Sequence, residues 1–425
     1  MKNCRRLVAQ CVLPGLLLMS FCSGCSSLQK HSARRTRDHA YIAYWPPPKG
    51  SNQLRLAVKD NIDMKGVVTT AGSQYLAKHS PPAARDAKCL ELARQRHVQI
   101  VGKTNLGEFA LKSSGFNDYY GTPKNPFRHG FIPGGSSSGS AVAVADGTAD
   151  VALGTDTAGS VRVPAACCGI AGLKTTFGLV PIKGVFPISP KHLDTVGPMA
   201  KDVSHLVQGM DLLQEGFAAR YQAAVAARPS GKNIKVGRLY LDGTDPAIDK
   251  AVDEALAAAR FHVIKLGQAF KAKWNKAAND GHTVALADAW VNDGKYVFKW
   301  GVERRTGEII LSGNVAENNY RDALKGQVQW KNALRQVFKK VDFIALPTLK
   351  TVPPRMPLFG GTVLFELRVL ALQNTEPANL GGNPALAIPI PIKGQEVPVT
   401  SLQLVGRRLS EAELLNAGRL VESKQ

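Results

Sequence analysis

Several things are scarce in this chain, and each shortage removes a class of function. Acidic side chains are few: 33 Asp and Glu stand against 54 Lys and Arg in 425 residues, a formal charge of +21 at pH 7. Such an excess suits nucleic acid, anionic polymers or simple solubility. No nucleic-acid-binding module accompanies it, so no nucleic-acid partner is expected. Only seven cysteines occur, and Cys4, Cys11, Cys22 and Cys25 fall within the first 25 residues, leaving Cys89, Cys167 and Cys168. That is no disulfide framework, and no group of residues has zinc-ligand spacing. Neither a metal nor an organic cofactor is implied. The adjacent Cys167 and Cys168 read as small core residues on a helix, not as a redox pair. No internal repeat is present, and the apolar stretch Leu7 to Phe21 is shorter than the ~20 residues of a spanning helix.

The N-terminus has a build of its own. Lys2, Arg5 and Arg6 precede that apolar stretch, which Gln10 and Pro14 interrupt, and small residues follow. Residues 1–25 therefore read as an export signal. The run CSGC at 22–25 resembles a lipoprotein cleavage box with Cys22 where leucine is usual. Cys25 is then the lipidation candidate, with plain signal cleavage or an uncleaved anchor as alternatives. Residues 26–52, rich in Ser, Lys, Arg and Pro, read as a basic tether. The expectation is an exported protein of the bacterial envelope or periplasm that meets the membrane through an N-terminal lipid. Residues 53–425 are expected to form one folded domain, with 44% hydrophobic residues across the chain to supply a core.

Chemistry concentrates in three segments. Acyl transfer needs a hydroxyl nucleophile, a base within reach, and donors aimed at the developing oxyanion. In GTDTAGSVRVPA at 154–165, Thr157, Ala158, Gly159 and Ser160 offer consecutive backbone N–H groups able to curl around an anion, with Ser160 as nucleophile. VRVPAACCGIAG after it reads as a helix start whose dipole adds positive potential. ADVAL at 149–153 reads as a short buried strand before it. Upstream, LRLAV at 54–58 predicts a strand that delivers Lys59 near the core, where burial disfavours the ammonium form. GGSSSGSA at 134–141 places Ser136 between Lys59 and Ser160 as a proton relay, and a helix is expected over 140–145.

Together these residues resemble the amidase signature family, whose members use a Ser-Ser-Lys triad. GGSSSGSA is similar to the family's Gly-Gly-Ser-Ser-Gly-Gly-Ser-Ala run, with Ser138 where glycine is common. The resemblance puts Lys59 on the family lysine, Ser136 on the bridging serine, Ser160 on the acyl-forming serine and residues 157–160 on the oxyanion loop. It also implies a cis peptide bond from Gly135 to Ser136. GKTNLGEFA (102–110), KNP (124–126), GLKTTFGLVP (172–181), LDTVGPMA (193–200), NLGGNPALAIPI (379–390) and LQLVGRR (402–408) extend it over about 54–422. The implied fold is a single α/β domain with a central mixed sheet covered by helices. The implied activity is hydrolysis of a carboxylic amide, small-molecule or peptide, through an acyl-enzyme. Two departures stand out: LRLAV lacks the Gly-Ile-Pro entry common before the lysine strand, and residues 215–340 carry no alignable motif. That middle section usually shapes substrate choice. Oligomeric state is not readable. Some family members supply ammonia for transfer-RNA amidation, a cytoplasmic task that export argues against.

The same residues admit other readings. Gly135-Ser136-Ser137-Ser138-Gly139 matches GxSxG and nominates Ser137 as an esterase nucleophile, with His192 and Asp194 as partners. The Pro- and Gly-rich stretch before it makes a poor strand for that elbow, and Ser137 reads better as loop support. Ser27 to Lys30 is the only Ser-x-x-Lys, and it lies in the tether. No lysine follows the Gly-rich loop as a phosphate-binding loop requires. Asp156 reads as a loop brace before an acid-base group, and Arg162 as a helix anchor before a substrate-carboxylate ligand. A non-catalytic envelope binding protein on an amidase scaffold is the remaining alternative.

Overall fold

The apolar run before Lys59 is the strand Arg55–Lys59, and its alternation organises the centre of the molecule. Leu56 and Val58 face one core with Val151 and Leu153. Ala57 faces the other, among Ala141, Val142, Ala143, Val144 and Ala152. With a side-chain period of two, Lys59 follows Ala57 onto the face lined by small residues. The strand is buried on both sides, as a parallel strand between two neighbours requires.

The computed structural model describes residues 39–357 and 361–424. Its eleven strands are β1 (Tyr41–Tyr44), β2 (Arg55–Lys59), β3 (Gln99–Thr104), β4 (Val151–Asp156), β5 (Ala171–Lys174), β6 (Thr195–Ala200), β7 (Lys235–Arg238), β8 (His262–Lys265), β9 (Phe343–Pro347), β10 (Ala385–Pro391) and β11 (Val399–Val405). They form one sheet in the order β1-β3-β2-β4-β6-β5-β10-β11-β9-β7-β8. The sheet is mixed: β2 runs parallel to both β3 and β4, whereas β4 and β6 are antiparallel. Helices cover both faces, giving the single α/β domain that was expected. Ser138–Ala145 packs on β2 and β4, starting earlier than the helix read from sequence. Arg162–Cys168 packs on β5 and β10. On the opposite face, Val203–Asp211, Phe217–Ala227, Pro246–Ala258 and Glu411–Glu422 enclose the larger core.

One expectation is corrected at the sheet edge. The tether read over 26–52 enters the described residues at His39, and there Tyr41–Tyr44 is a strand antiparallel to β3. Tyr41 is buried, and its hydroxyl pairs with Thr148 Oγ1 at 3.0 Å. So short a segment registers no period, and only cross-sheet pairing reveals it as a strand. The candidate signal 1–25 and Cys25 lie outside the described residues.

The section without motifs, 215–340, is dominated by two long helices, Gln268–Asp293 and Arg304–Val337, packed along each other. Aromatic residues hold the pair to the sheet layer. The rings of Trp274 and Trp330 meet edge to face at 5.7 Å, and Phe270 lies 5.6 Å from Trp330. Trp330 Nε1 donates to the Pro377 carbonyl at 2.7 Å, linking the hairpin to the short helix Glu376–Gly381. Trp330→Ala removes both the packing and this bond. It is expected to lower the free energy of unfolding by about 3–5 kcal/mol in urea titration, and a loss below about 1 kcal/mol would show that the hairpin is not held by this ring.

Candidate active site

Strand ends and the loops after them build the site. Lys59 closes β2 and is fully buried. Its Nζ donates to Ser136 Oγ and to Thr155 Oγ1, each at 2.8 Å, and Asn61 Nδ2 donates to the same Thr155 oxygen at 3.0 Å. Burial pulls the lysine down from 10.5 to about 7, against partial support for the charge from Asp156 and Asp194. An amine in this state is neutral for much of the time near pH 7 and can accept a proton through the contact with Ser136.

Ser136 is held by its backbone. The Gly135–Ser136 peptide bond is cis, as the resemblance implied. Gly135 N–H donates to the Ser113 carbonyl at 2.7 Å, and Gly107 N–H donates to the Ser136 carbonyl at 3.2 Å. The loop 112–115 lies so close that a Cβ on Gly135 would fall 2.2 Å from the Lys112 carbonyl oxygen. Ser137 then starts the helix Ser138–Ala145, and its hydroxyl donates to the Thr155 carbonyl at 3.3 Å.

The second loop follows β4. Ser137 N–H donates to the Ser160 carbonyl at 3.2 Å, which brings Ser160 beside the Gly-rich loop. Among the described residues, the backbone N–H groups of Thr157, Ala158, Gly159 and Ser160 donate to no protein acceptor. Ser160 itself is partly exposed. The loop is pinned at its carbonyl and side-chain positions instead: Thr375 Oγ1 donates to the Ala158 carbonyl at 2.5 Å, and Thr157 Oγ1 donates to Asp194 Oδ1 at 2.6 Å. Gly159 has φ of +141°, where L residues are strained, and a Cβ there would strike Thr375 Oγ1 at 2.3 Å. Four backbone donors left without a protein acceptor on a braced loop at the start of a helix have the chemistry to receive an anion.

Asp156 and Arg162 lie beneath this loop, both fully buried. Arg162 donates from Nε to Asp156 Oδ2 at 3.0 Å and from Nη2 to Oδ1 at 2.9 Å. Its remaining contacts go to the Thr375 carbonyl, Gln403 Oε1 and Asn379 Oδ1 at 2.9, 2.6 and 2.5 Å. Burial alone would raise the Asp156 carboxyl, but the Arg162 charge overcomes it and holds the group at about 2. Every polar arm of the arginine meets protein, so it anchors the loop and has none left for a substrate carboxylate.

Sequence reading missed the outer partners. Asn61 and Thr155 lie close in sequence to Lys59 and Asp156, whereas Thr375, Asn379 and Gln403 come from the far end of the chain, Gln403 from 241 residues beyond the arginine it holds. Asn379 sits in one family-like segment and Gln403 in another, but neither segment says which side chain it meets. The esterase arrangement is not assembled: no strand runs into Ser137, Asp194 serves Thr157, and His192 lies edge-on to Tyr320 with ring centres 6.2 Å apart. Cys167 and Cys168 are buried, and burial pushes both thiols well up, as suits inert core residues.

The family model described as Amidase matches residues 54–415. The A-type subunit of glutamyl-tRNA(Gln) amidotransferase from Halobacterium salinarum is 33% identical over 418 residues, covering 86% of this chain and 94% of that protein. Its counterpart of the same name from Chloroflexus aggregans is 35% identical over 404 residues, covering 86% and 81%. Among solved structures, the same-named protein of Thermotoga maritima superimposes with a TM-score of 0.76 at 25% identity, covering 94% of this chain and 91% of that one. An amidase structure gives a TM-score of 0.73 at 26% identity, covering 94% and 88%.

These relatives correct the expectation of an exported, lipid-anchored envelope protein. Proteins matched over 86% of this chain are named for glutamyl-tRNA amidation, the task that export would exclude, and the envelope assignment does not hold. The order of basic, apolar and small opening residues and the CSGC run at 22–25 had suggested it.

Arg162→Met strands the Asp156 charge in the interior. Urea unfolding is expected to register a loss of about 3–5 kcal/mol, as for other buried pairs broken from one side, while a near-neutral result would contradict the anchoring role.

Proposed function

This chain belongs to the amidase signature family, and from that premise we propose that it cleaves the C–N bond of a carboxylic amide by covalent catalysis at Ser160. Ser160 Oγ attacks the carbonyl carbon while its proton passes to Ser136 Oγ, whose own proton passes to neutral Nζ of Lys59. The carbonyl oxygen becomes an oxyanion received by the free N–H groups of 157–160. As the tetrahedral species collapses, the C–N bond breaks and the relay returns the proton to the leaving ammonia or amine. Water then attacks the Ser160 ester along the same route and releases the acid. The observation that carries this reading is the buried Lys59 amine, lowered to about 7 and 2.8 Å from Ser136 Oγ. A binding protein would have no use for an amine desolvated against a serine hydroxyl. Asp156, Arg162 and Ser137 support the loops and take no part in the proton transfers.

The relatives' names favour a second, more specific reading, in which the ammonia released is handed on to a glutamyl-tRNA by an assembly that includes this chain. Their 33% and 35% identity over 86% of the chain motivates it. The two readings share every step at Ser160. They separate in an assay of ammonia release from free glutamine and simple amides by the protein alone, compared with the same assay after addition of glutamyl-tRNA and candidate partner proteins.

Three outcomes are expected. Ser160→Ala should abolish ammonia or amine release with the fold intact, and Lys59→Ala should slow it by ~10²–10⁴-fold, the range for loss of a general base. Full activity in the Ser160 variant would sink the assignment. The rate of Ser160 labelling by a fluorophosphonate should rise with pH and level off above about 7, because the relay works only when Lys59 is uncharged. A midpoint near ~10, the range of an unperturbed lysine, would mean that Lys59 is solvated and is not the base.

A further inference from the structure

The connection between the two long helices carries a surface unlike the rest of the molecule. Phe298 is 89% exposed and Trp300 is 76% exposed, within the run Lys295-Tyr296-Val297-Phe298-Lys299-Trp300. Val291, on the helix entering the turn, and Val315, on the helix leaving it, are 71% and 69% exposed. Two large rings this exposed within three residues of each other mark a contact surface. Beside the two rings the charged groups are lysines, whereas Val291 shares a hollow with Asp288 and Glu317. Lys295 precedes the two rings and Lys299 lies between them in sequence, and Lys78 places Nζ 4.7 Å from the centre of the Trp300 ring. None of these three lysines forms an ion pair with an acidic side chain among the described residues. Arg304, just past the turn, is paired with Glu308. The acid that follows the turn, Glu303, is turned inward to Lys112.

We propose that this turn is a peripheral docking surface for an anionic lipid bilayer. Large rings seat at the boundary between headgroups and acyl chains, lysine stems run along them with the charge left at headgroup level, and unpaired cations match anionic headgroups. A single-stranded nucleic acid would also use aromatics and lysines, but it needs open ring faces for stacking. Lys78 already occupies a face of Trp300, and aliphatic Val291 and Val315 give a base nothing to stack on. The contact lies in the surface plane, since no helix among the described residues is long and apolar enough to cross a membrane. The two rings lie outside the residues assigned to the reaction, so docking and turnover are separable.

The test uses the full chain with vesicles of phosphatidylcholine alone and of phosphatidylcholine mixed with phosphatidylglycerol. The Phe298→Ser/Trp300→Ser variant is expected to bind the mixed vesicles at least about tenfold more weakly than the unaltered protein, with amide turnover unchanged. A photoreactive benzoylphenylalanine in place of Phe298 should form a lipid adduct on the mixed vesicles, and the same group in place of Lys325, exposed farther along the hairpin, should not. This local readout separates the turn from any lipid contact made by the N-terminus. Equal vesicle binding by the double variant, or no lipid adduct at 298, would overturn the proposal. An adduct at 298 joining two copies of the chain in place of lipid would also overturn it and make the turn a self-association surface.

Discussion

The arrangement depends on taking one amine out of water. Lys59 ends a strand buried on both faces, and without a carboxylate in contact its charge is held only by hydroxyls and by Asp156 and Asp194 at a distance. Desolvation then outweighs those attractions, and the amine approaches neutrality near physiological pH. Lys103, one strand over in β3, donates to Asp60 Oδ1 at 2.9 Å in an equally buried setting. The two lysines sit on neighbouring strands of one sheet, one against a carboxylate and the other against hydroxyls.

Keeping Lys59 free of a carboxylate requires that Asp156, at the end of the adjacent strand, be engaged elsewhere. Arg162 does this by occupying both carboxylate oxygens, and Asn379 adds a further donor at 2.8 Å. The same arginine reaches Gln403 on β11 and the Thr375 carbonyl. One buried cation thereby ties the loop 157–160 to the C-terminal third of the chain. Such a network stabilises only when every member is satisfied, and here all the guanidinium arms are. The free N–H groups of 157–160 can stay unpaired because this scaffold holds their loop open through other atoms.

Small residues make the approach possible. The helix Ser138–Ala145 reads SGSAVAVA and presses on β2 and β4. A side chain on Gly139 would fall 2.2 Å from the Ala40 carbonyl. That contact also explains why the chain before β2 folds back as an edge strand, contrary to its reading as a tether: the Ala40 carbonyl accepts from Asn105 N–H while lying against the glycine. The long hairpin contributes through buried charge as well as aromatic packing. Glu303, at the turn end where the second helix begins, meets Lys112, whose carbonyl abuts Gly135, so the section least legible by motif is mechanically joined to the loop most legible by motif.

What the sequence determined by itself was local. The strand ending in Lys59, the glycine-rich loop with Ser136, the loop ending in Ser160 and the helix after it all follow from short-range rules: apolar runs, small-residue loops and helix starts within a few residues of one another. Those rules were enough for the candidate reacting residues and, with the family resemblance, for the α/β architecture. They failed where the deciding partner is remote. Tyr41–Tyr44 became a strand only by pairing with β3. The composition of the first residues suggested a compartment that the relatives do not support. Whether Arg162 anchors or binds was decided by Gln403, Asn379 and Thr375 arriving from the far end of the chain, and the role of Asp194 by its contact with Thr157. A lysine's charge state is likewise set by the sum of its burial and its neighbours' charges, which exists only after the sheet has closed around it.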